Sequence, residues 1–540
     1  MALRSRVIVI LGFAPLVACS ALTDLDPLRG DASPCSACDG GPDSPVDDAS
    51  SDAPKDGDAA VVTPTGTLTN LVTWGAANYD GVTRVRVDSK GNVYVLAIVS
   101  ANGATFTINN GKVFQPGVSS PWMSMLAKFL PNGDCDWVLP LPATNLSGLA
   151  LDPSETSVYV AGGLLGSTTL GSSPLTLLGG QDLVTLKVST SGVVQWAQNF
   201  GQPQGVWTAT SVLADSSNVY VAGSMRWASA VKIGSVSPTA PATSNNGSYG
   251  YVVALTPAGT PSWARVLAPS TTALARTSTI NDLVLAKNGD LLVGGWFSDS
   301  NTSIALELDP GATNTKLQRA ASASGFVGDA FVAAYRPASS GQFVWGTQLM
   351  QVAAPAGQSM GIVAMTPTPA GELYVGLSYS GPVALAIGGN LPDSGYSNIG
   401  VAKLDAAGKV LAIKGYPAAK SAQSPFGLSS IAVDGAGDVI FGGTLSNDAD
   451  FGTGPVAYSG YGDAFVVKVD ASLKPRWIKT YAPQAQPDAG PGYWTSANTV
   501  AVLPSGGAVV GGTFLPSTKF DATIKDTNGR NDAFLAFLKP

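Results

Sequence analysis

The stretch DAFVVKVDASLKPRWIKTY, residues 463–481, contains the unit from which most of this chain is built. Apolar residues at alternate positions indicate two half-buried strands, and the polar turn between them predicts an antiparallel hairpin. The pattern recurs at residues 123–137, 182–196, 249–263 and 329–345, each ending in Trp, and residues 398–412 keep the spacing without the Trp. The chain is therefore a series of repeats of one small β unit.

The last copy of the pattern, residues 532–540, stops before any Trp occurs. A strand of the missing type lies at the other end, in LTNLVTWGAANYD (residues 68–80), where Trp74 has no hairpin before it. An unpaired sheet edge promotes aggregation. We therefore predict that this strand pairs with the last copy, beside Phe534, and joins the two ends of the chain.

Two further short strands precede each hairpin, as in SIAVDGAGDVIFGGT, residues 430–444. Gly91 and Gly507 mark this turn six repeats apart, so one repeat is (507 − 91)/6, or about 69 residues long. Serial four-stranded antiparallel units are typical of β-propellers. Units begin near Val82, Asn145, Val206, Thr277, Ser359, Phe426 and Ser496. The sequence thus predicts an all-β, seven-bladed β-propeller over residues 67–540, closed by an N-terminal strand that completes the last blade.

The N-terminus has the features of an export signal, residues 1–18. Arg4 and Arg6 precede an apolar run that is too short to span a bilayer. It ends in Leu-Val-Ala-Cys, which resembles the bacterial lipobox, and this resemblance implies lipidation of Cys19. Ser20 after the cysteine favours the outer membrane. The alternative is ordinary cleavage near Ala21, which would give an exported chain without a lipid.

Residues 19–66 are predicted to be a disordered acidic tether. Between residues 24 and 58 there are ten Asp against Arg29 and Lys55, a charge of −8, with many Ser, Pro and Gly. The signal contributes +2, so the formal net charge of −7 leaves −7 + 8 − 2 = −1 for the rest. A nearly neutral body gives no indication of nucleic-acid binding.

The remaining cysteines indicate no redox or zinc centre. Cys35 and Cys38 lie in the tether without a second ligand pair, so a local disulfide is the expected state of an exported chain. Cys135 has no evident partner and is predicted to be a partly covered free thiol.

Loops of variable length on a rigid scaffold commonly carry binding sites. We expect the inserts between the second and third strands, together with the links between units, to form such a face. Candidate binding residues there are Trp122, Trp207, Trp227, Trp296, Tyr379, Tyr493 and Trp494, with Tyr249, Tyr396 and Tyr461 nearby. The alternative is that these rings only cover long loops. Trp74, Trp137, Trp196, Trp263, Trp345 and Trp477 occupy the equivalent fourth-strand position and are predicted to pack between units.

The composition excludes much catalytic chemistry. Because the chain contains no histidine, a Ser-His-Asp triad and most zinc sites are excluded. Asp182, Asp329, Asp463 and Asp532 recur at one position of the repeat, which favours a structural role over a catalytic one. Residues 447–450 offer oxygen ligands but lack the length of an EF-hand loop. We predict no catalytic residue, no metal site and no cofactor.

The repeats with their inserts, such as residues 449–477, resemble the SBBP-type seven-bladed propeller repeats of exported lipoproteins from myxobacteria-like organisms. The resemblance covers about residues 67–540 and implies a fold and a surface location but no reaction. The favoured hypothesis is a monomeric, non-catalytic, lipid-anchored protein that binds a protein or glycan partner at the cell envelope. The alternative is a His-free carbohydrate-active enzyme that uses Asp carboxylates.

Overall fold

The computed structural model describes residues 66–76, 78–100, 105–115, 123–226, 231–238, 247–269, 277–299, 304–310, 315–319, 327–350, 359–393, 397–418, 427–459, 461–484 and 494–540. In these ranges the protein is all-β, and the helical content is one 3₁₀ turn at Pro337–Ser339. No helix in this part of the chain could span a membrane. The export signal, Cys19 and the Cys35–Cys38 pair lie outside the described residues.

After β1 (Leu68–Trp74), the strands form successive four-stranded antiparallel units, some with a short insert hairpin. Unit one contains β2 (Asp80–Val87), β3 (Val93–Val99), β4 (Phe106–Thr107), β5 (Val113–Phe114), β6 (Met123–Phe129) and β7 (Cys135–Leu141). Unit two contains β8 (Thr144–Leu151), β9 (Ser157–Leu164), β10 (Thr168–Leu170), β11 (Ser173–Leu175), β12 (Asp182–Ser189) and β13 (Val194–Phe200). Unit three contains β14 (Val206–Ala214), β15 (Val219–Arg226), β16 (Tyr249–Leu255) and β17 (Pro261–Pro269).

The second half of the chain follows the same plan. Unit four contains β18 (Thr277–Leu285), β19 (Leu291–Asp299), β20 (Ile304–Glu307), β21 (Lys316–Arg319), β22 (Val327–Arg336) and β23 (Gln342–Gln348). Unit five contains β24 (Ser359–Pro367), β25 (Leu373–Ser380), β26 (Ser397–Leu404) and β27 (Val410–Tyr416). Unit six contains β28 (Gly427–Val433), β29 (Val439–Leu445), β30 (Ala449–Asp450), β31 (Pro455–Val456), β32 (Asp463–Val469) and β33 (Pro475–Pro483). The last unit contains β34 (Ser496–Val502), β35 (Ala508–Phe514), β36 (Thr518–Phe520), β37 (Thr523–Lys525) and β38 (Asp532–Leu538).

The local sequence explains the tight turns between first and second strands. In unit six the Asp434 carboxylate accepts hydrogen bonds from the N–H groups of Ala436 and Asp438, which rigidifies the turn. Gly437 there has φ +84, a conformation that disfavours residues with a Cβ. The second and third strands, β29 and β32, are buried at every position because both faces of the sheet are covered.

The fourth strand of the last unit is supplied by β1. The strand order of that sheet is β1–β38–β35–β34, and β1 runs antiparallel to β38. Thr73 lies opposite Phe534, and Trp74 lies opposite Ala533. The pairing predicted from the sequence between the two ends of the chain is therefore present.

The first strands of successive units contact one another in the order β2, β8, β14, β18, β24, β28 and β34, and β34 in turn contacts β2. In four of these strands, β8, β14, β18 and β34, the side chain at the bulge donates a hydrogen bond to the backbone of the following unit. Ser147 donates to the carbonyl of Ala209, with 2.6 Å between the atoms. Asn498, near the end of the chain, donates to the carbonyl of Val82 over 2.9 Å.

Fourth-strand tryptophans pack against the turn between the third and fourth strands of the following unit. Gly192, in the turn of unit two, has φ +86, and a Cβ added there would lie 2.8 Å from the Trp137 ring. The same contact joins Trp196 with Gly259, Trp263 with Gly341, Trp345 with Gly408 and Trp477 with Gly66. These contacts agree with the predicted packing role.

Trp74 is not their counterpart, and the sequence prediction was wrong on this point. Trp477 lies opposite Lys468, and the matching position of β38, Phe537, lies opposite Asn70. Asn70 donates to the carbonyl of Asn132 in the turn of unit one, with 2.8 Å between the atoms. Trp74 lies four residues further along β1, fully buried, and its ring stacks on another aromatic ring, that of Phe129.

Candidate functional site

Short hairpins form in the inserts, and those described pack along the outer, fourth strands. β20 pairs with β17 of the preceding unit, and β36 pairs with β33 in the same way. Phe114 of β5 and Phe520 of β36 are fully buried by this packing. The inserts therefore cover the exposed edges of sheets, a role that limits unwanted strand pairing.

The structure removes two residues from the predicted aromatic binding face. Trp207 is 0% exposed and meets the Tyr251 ring edge-on, with 5.5 Å between ring centroids. Tyr379 is 2% exposed, and its hydroxyl donates to the carbonyl of Pro392 over 2.8 Å. Both side chains occupy strand positions that point into the core, so neither can contact a partner.

Two candidates of that face keep accessible surface. Trp296, on β19, and Trp494, just before β34, are both half-buried. The other candidates, Trp122, Trp227 and Tyr493, lie outside the described residues.

A cavity of about 370 Å³ opens on the outer wall between units three and four. It is lined by Val236, Ser237, Pro238, Ser262, Trp263, Ala264, Arg265, Asp309, Pro310 and Ser340. The first three belong to the insert of unit three, and Asp309 and Pro310 follow β20 in the insert of unit four. The cavity thus depends on two inserts and on the fourth strand β17.

Arg265 lines this cavity, and several neighbouring groups hold its side chain in place. Its guanidinium donates to the carbonyls of Ala264 and Ser340, with 3.0 and 3.1 Å between the atoms. The Asp309 carboxylate lies 3.5 Å from its Nε atom, and the Trp263 ring lies 5.9 Å away. Both charged side chains keep a quarter of their surface exposed. The cavity therefore presents fixed hydrogen-bond donors beside a carboxylate acceptor and serine hydroxyls.

The sequence analysis did not identify Arg265 or Asp309. The repeat nevertheless contains a pattern that could have identified Arg265. It lies two residues after Trp263, and Lys479 lies two residues after Trp477 at the same position of unit six. Lys479 pairs with Asp521 over 3.1 Å, again across a fourth strand and the insert that covers it. Such pairs attach inserts to the preceding unit, and in units three and four the attachment also forms a wall of the cavity.

The recurring aspartates have structural partners. Asp182 accepts hydrogen bonds from the N–H groups of Leu178 and Gly179, over 2.8 and 3.0 Å. Asp463 accepts one from the N–H of Ser459 over 2.8 Å. These carboxylates organise the approach to the third strand.

Two carboxyl groups at the junction between β1, β2 and β38 have raised pKa values. Burial raises the pKa of Asp80 to about 6, although the N–H groups of Ala76 and Ser100 donate to its carboxylate. Burial, and to a lesser extent the charge of Asp80, raises the pKa of Asp532 to about 7. Asp532 accepts one hydrogen bond from the N–H of Asn528, and its Oδ1 atom has no partner among the described residues.

Asp80 and Asp532 are 0% and 2% exposed, so substrate in solution cannot reach them. Asp532 also belongs to the recurring set. A glycosidase needs two accessible carboxyl groups that flank a bond of the sugar chain. The pair therefore does not form the cleft that the enzyme hypothesis requires.

Other predicted sites are also accounted for. Cys135 is a free thiol, fully rather than partly buried, and burial raises its pKa to about 12. In the acidic segment 447–450, Asp448 accepts from the N–H of Tyr458, and Asp450 from those of Gly452 and Gly454. Within the described ranges, no three metal-binding side chains cluster together.

No protein family matches the sequence, and no curated protein matches it. Two solved structures share part of its backbone arrangement. A protein of unknown function from Dyadobacter fermentans is 10% identical with a TM-score of 0.41, covering 88% of this chain and 98% of its own. The Dos1 propeller is 9% identical with a TM-score of 0.33, covering 86% of this chain and 95% of its own. Both matches are remote, and they say nothing about what this chain binds.

Proposed function

We propose that the four-stranded units are the blades of a closed seven-bladed β-propeller whose last blade is completed by β1. Support comes from the cyclic contacts of the first strands, in which β34 meets β2. The hydrogen bond from Asn498 to Val82 links the last unit to the first in the way that Ser147 and Ala209 link units two and three. Antiparallel four-stranded blades of this kind form rigid scaffolds for binding.

We further propose that the propeller is exported and attached to the outer membrane through a lipid on Cys19, with residues 19–66 as its tether. The export signal, the lipobox-like Leu-Val-Ala-Cys and the acidic low-complexity segment support this location.

At the cell envelope, we infer that the protein binds a glycan without catalysing a reaction. The observation that carries this proposal is the cavity around Arg265 and Asp309, whose volume of about 370 Å³ is in the range of small-ligand sites. Sugars present vicinal hydroxyl groups that both donate and accept hydrogen bonds. A fixed guanidinium, a carboxylate and the hydroxyls of Ser237, Ser262 and Ser340 offer matching partners.

The test is a glycan array probed with the whole exported chain purified in detergent. Removing the charged pair with Arg265→Ala and Asp309→Ala should abolish the signal of the glycan that binds the unchanged protein. Lys316→Ala is the matched control, because Lys316 pairs with Glu307 over 2.9 Å on the same insert but does not line the cavity. Binding that survives the double substitution, or is lost equally in the control, would contradict the proposal.

A further inference from the structure

Two arginines, Arg84 and Arg86, lie on the first strand of unit one, and no other first strand carries a positive charge. Arg84 and Arg86 alternate along β2, so their side chains leave the strand on the same side. The charged residues on the first strands of all the units are these two, Asp80 and Asp282. Asp80 lies at the far end of β2, in the buried junction with β38. Away from that junction, the first strands therefore carry two positive charges and one negative charge.

The negative charge is already engaged by the protein. Asp282 accepts hydrogen bonds from the Ser211 hydroxyl and the Leu283 N–H through one oxygen, each over 2.9 Å. Its other oxygen accepts from the N–H of Met365 over 2.8 Å. These bonds hold the carboxylate on the walls formed by units three, four and five. It influences the arginines through space, without an ion pair within 4.0 Å among the described residues.

The two guanidinium groups are sparsely bonded. Arg84 donates one hydrogen bond, to the carbonyl of Thr83 over 3.1 Å, and Arg86 donates one, to that of Val85 over 2.9 Å. A guanidinium has five N–H donors, so most donors of each side chain remain available. None of their nitrogen atoms is both buried and without a partner, which means that the remaining donors reach open space.

The surroundings of Arg84 and Arg86 make their positive charges unfavourable unless a counter-ion is bound. Both side chains are surrounded by protein although part of their surface stays accessible. Desolvation lowers the pKa of Arg84 and that of Arg86, and each arginine's distant neighbour Asp282 only partly compensates. The pKa of Arg86 is lowered further by the charge of Arg84. An anion bound between them would remove the repulsion and use the free donors.

We propose that Arg84 and Arg86 form a binding site for a compact oxyanion, a carboxylate or phosphate group, in the interior surrounded by the first strands. Arginine suits this task because its planar fork donates two parallel hydrogen bonds to such groups. The site is separate from the Arg265 cavity and does not depend on the proposed glycan function.

The experiment measures binding of inorganic phosphate, sulfate and acetate to the whole chain in detergent, by calorimetry and by the shift in unfolding temperature. Sodium chloride at equal ionic strength is the control for screening. We expect saturable binding of at least one oxyanion and a rise in unfolding temperature that chloride does not produce. Replacing either arginine by Gln should weaken binding by about ten-fold or more.

Matched variants exclude trivial explanations. Arg226→Gln removes an exposed arginine at the end of β15 and should leave binding unchanged. The double variant R84Q/R86Q should unfold in chloride at the same temperature as the unchanged protein or higher, because it removes desolvated charges. Stabilisation by phosphate that persists in the double variant, or an equal response to chloride, would overturn the proposal. So would the absence of saturable binding by all three anions.

A second arm compares inorganic phosphate with an oligosaccharide of uronic acids, which carries the carboxylate on a glycan. Tighter, arginine-dependent binding of the oligosaccharide would support the site and place its oxyanion on a sugar chain. Tighter, arginine-dependent binding of phosphate would support a site for the free anion.

Discussion

The backbone N–H of Lys539 donates a hydrogen bond to the carbonyl oxygen of Thr67, with 2.9 Å between the two atoms. In units one, two, three, five and six an equivalent bond closes the turn between the third and fourth strands, as from the N–H of Asp470 to the carbonyl of Lys474 over 2.8 Å. Gly66, beside Thr67, packs on Trp477 as the turn glycines of other units pack on theirs. The two ends of the chain together therefore rebuild a turn that one continuous segment supplies elsewhere.

This arrangement predicts that the N-terminal strand is essential to the fold. Deleting residues 67–78 removes β1 and leaves β38 with an unpaired edge, so the unfolding temperature should fall by on the order of 10 °C or the protein should become insoluble. Deleting residues 24–58, in the tether, should leave the unfolding temperature unchanged. Calorimetry on both deletions would decide, and equal unfolding temperatures would contradict a structural role for β1.

A second prediction concerns unit five, whose fourth strand β27 lacks the tryptophan. Unit five has Ala412 at that position, and the corresponding turn of unit six has Leu473 at φ +60 in place of glycine. Leu473 is buried, and its carbonyl accepts from Lys414 over 2.8 Å. Other units have a Trp on the fourth strand and a Gly in the turn of the following unit. Here Ala412 takes the place of the Trp and Leu473 that of the Gly, so the larger side chain comes from the turn.

Leu473→Gly alone should destabilise the protein by about 2 kcal/mol through lost packing. Ala412→Trp alone should also destabilise it, because the ring meets Leu473. Together the two substitutions should restore at least about 1 kcal/mol relative to the sum of their separate effects. Urea unfolding of all four proteins measures this coupling, and strictly additive effects would show that the two positions do not pack together.

The third prediction is a pH dependence of stability at the junction of the chain ends. The pKa of an aspartate in an unfolded chain is about 3.9, whereas those of Asp80 and Asp532 are about 6 and about 7 in the folded protein. The folded state therefore binds more protons than the unfolded state between about pH 4 and pH 7. Stability from these groups is fully present below this window and is lost as the pH rises through it.

Accordingly, the unfolding temperature should fall between pH 5 and pH 8, and Asp532→Asn should remove much of the decrease. Over this pH range the free energy of unfolding should fall by on the order of 3 kcal/mol, since one pKa unit corresponds to about 1.4 kcal/mol. Asp136→Asn, at a carboxylate that is 40% exposed, is the control and should leave the dependence intact. A decrease of the same size in the Asp532 variant would assign it to other groups.

The fourth prediction tests attachment to the membrane. If Cys19 carries the lipid, the protein partitions into detergent after phase separation, and Cys19→Ala should release it into the aqueous phase or stall its processing. Mass spectrometry of the mature N-terminus gives an independent measurement. An unmodified N-terminus beyond Cys19 would contradict lipidation.

Sequence periodicity predicted much of the fold because the repeat fixes strand positions independently of any single residue. Alternation over residues 463–469 identified β32, and the unpaired strand before Trp74 identified the partner of β38. The position of Trp74 in the repeat was predicted wrongly because sequence spacing alone cannot set the register between distant strands. Hydrogen bonding determines that register, and it aligns Asn70 with the other units' tryptophans.

The candidate site was less predictable for a different reason. Trp207 and Tyr379 lie near variable segments in sequence, but each is on a strand whose alternation turns its ring inward. Arg265 and Asp309 are forty-four residues apart, and their contact depends on an insert that folds back onto the preceding unit. Arg84 and Arg86 attract notice only once the first strands are known to surround one interior.

The pairing of β1 with β38 also governs the order in which the molecule can mature. Leu71 and Ala536, which lie opposite each other, are separated by 465 residues, so this contact has a very high contact order. Each four-stranded unit from one to six can form as soon as its own segment has been synthesised, but β1 must wait, unpaired, for the final strand. The newly made protein therefore reaches its native state only after its last strand, β38, has emerged. Until then the edge of β1 is open to pairing with another chain.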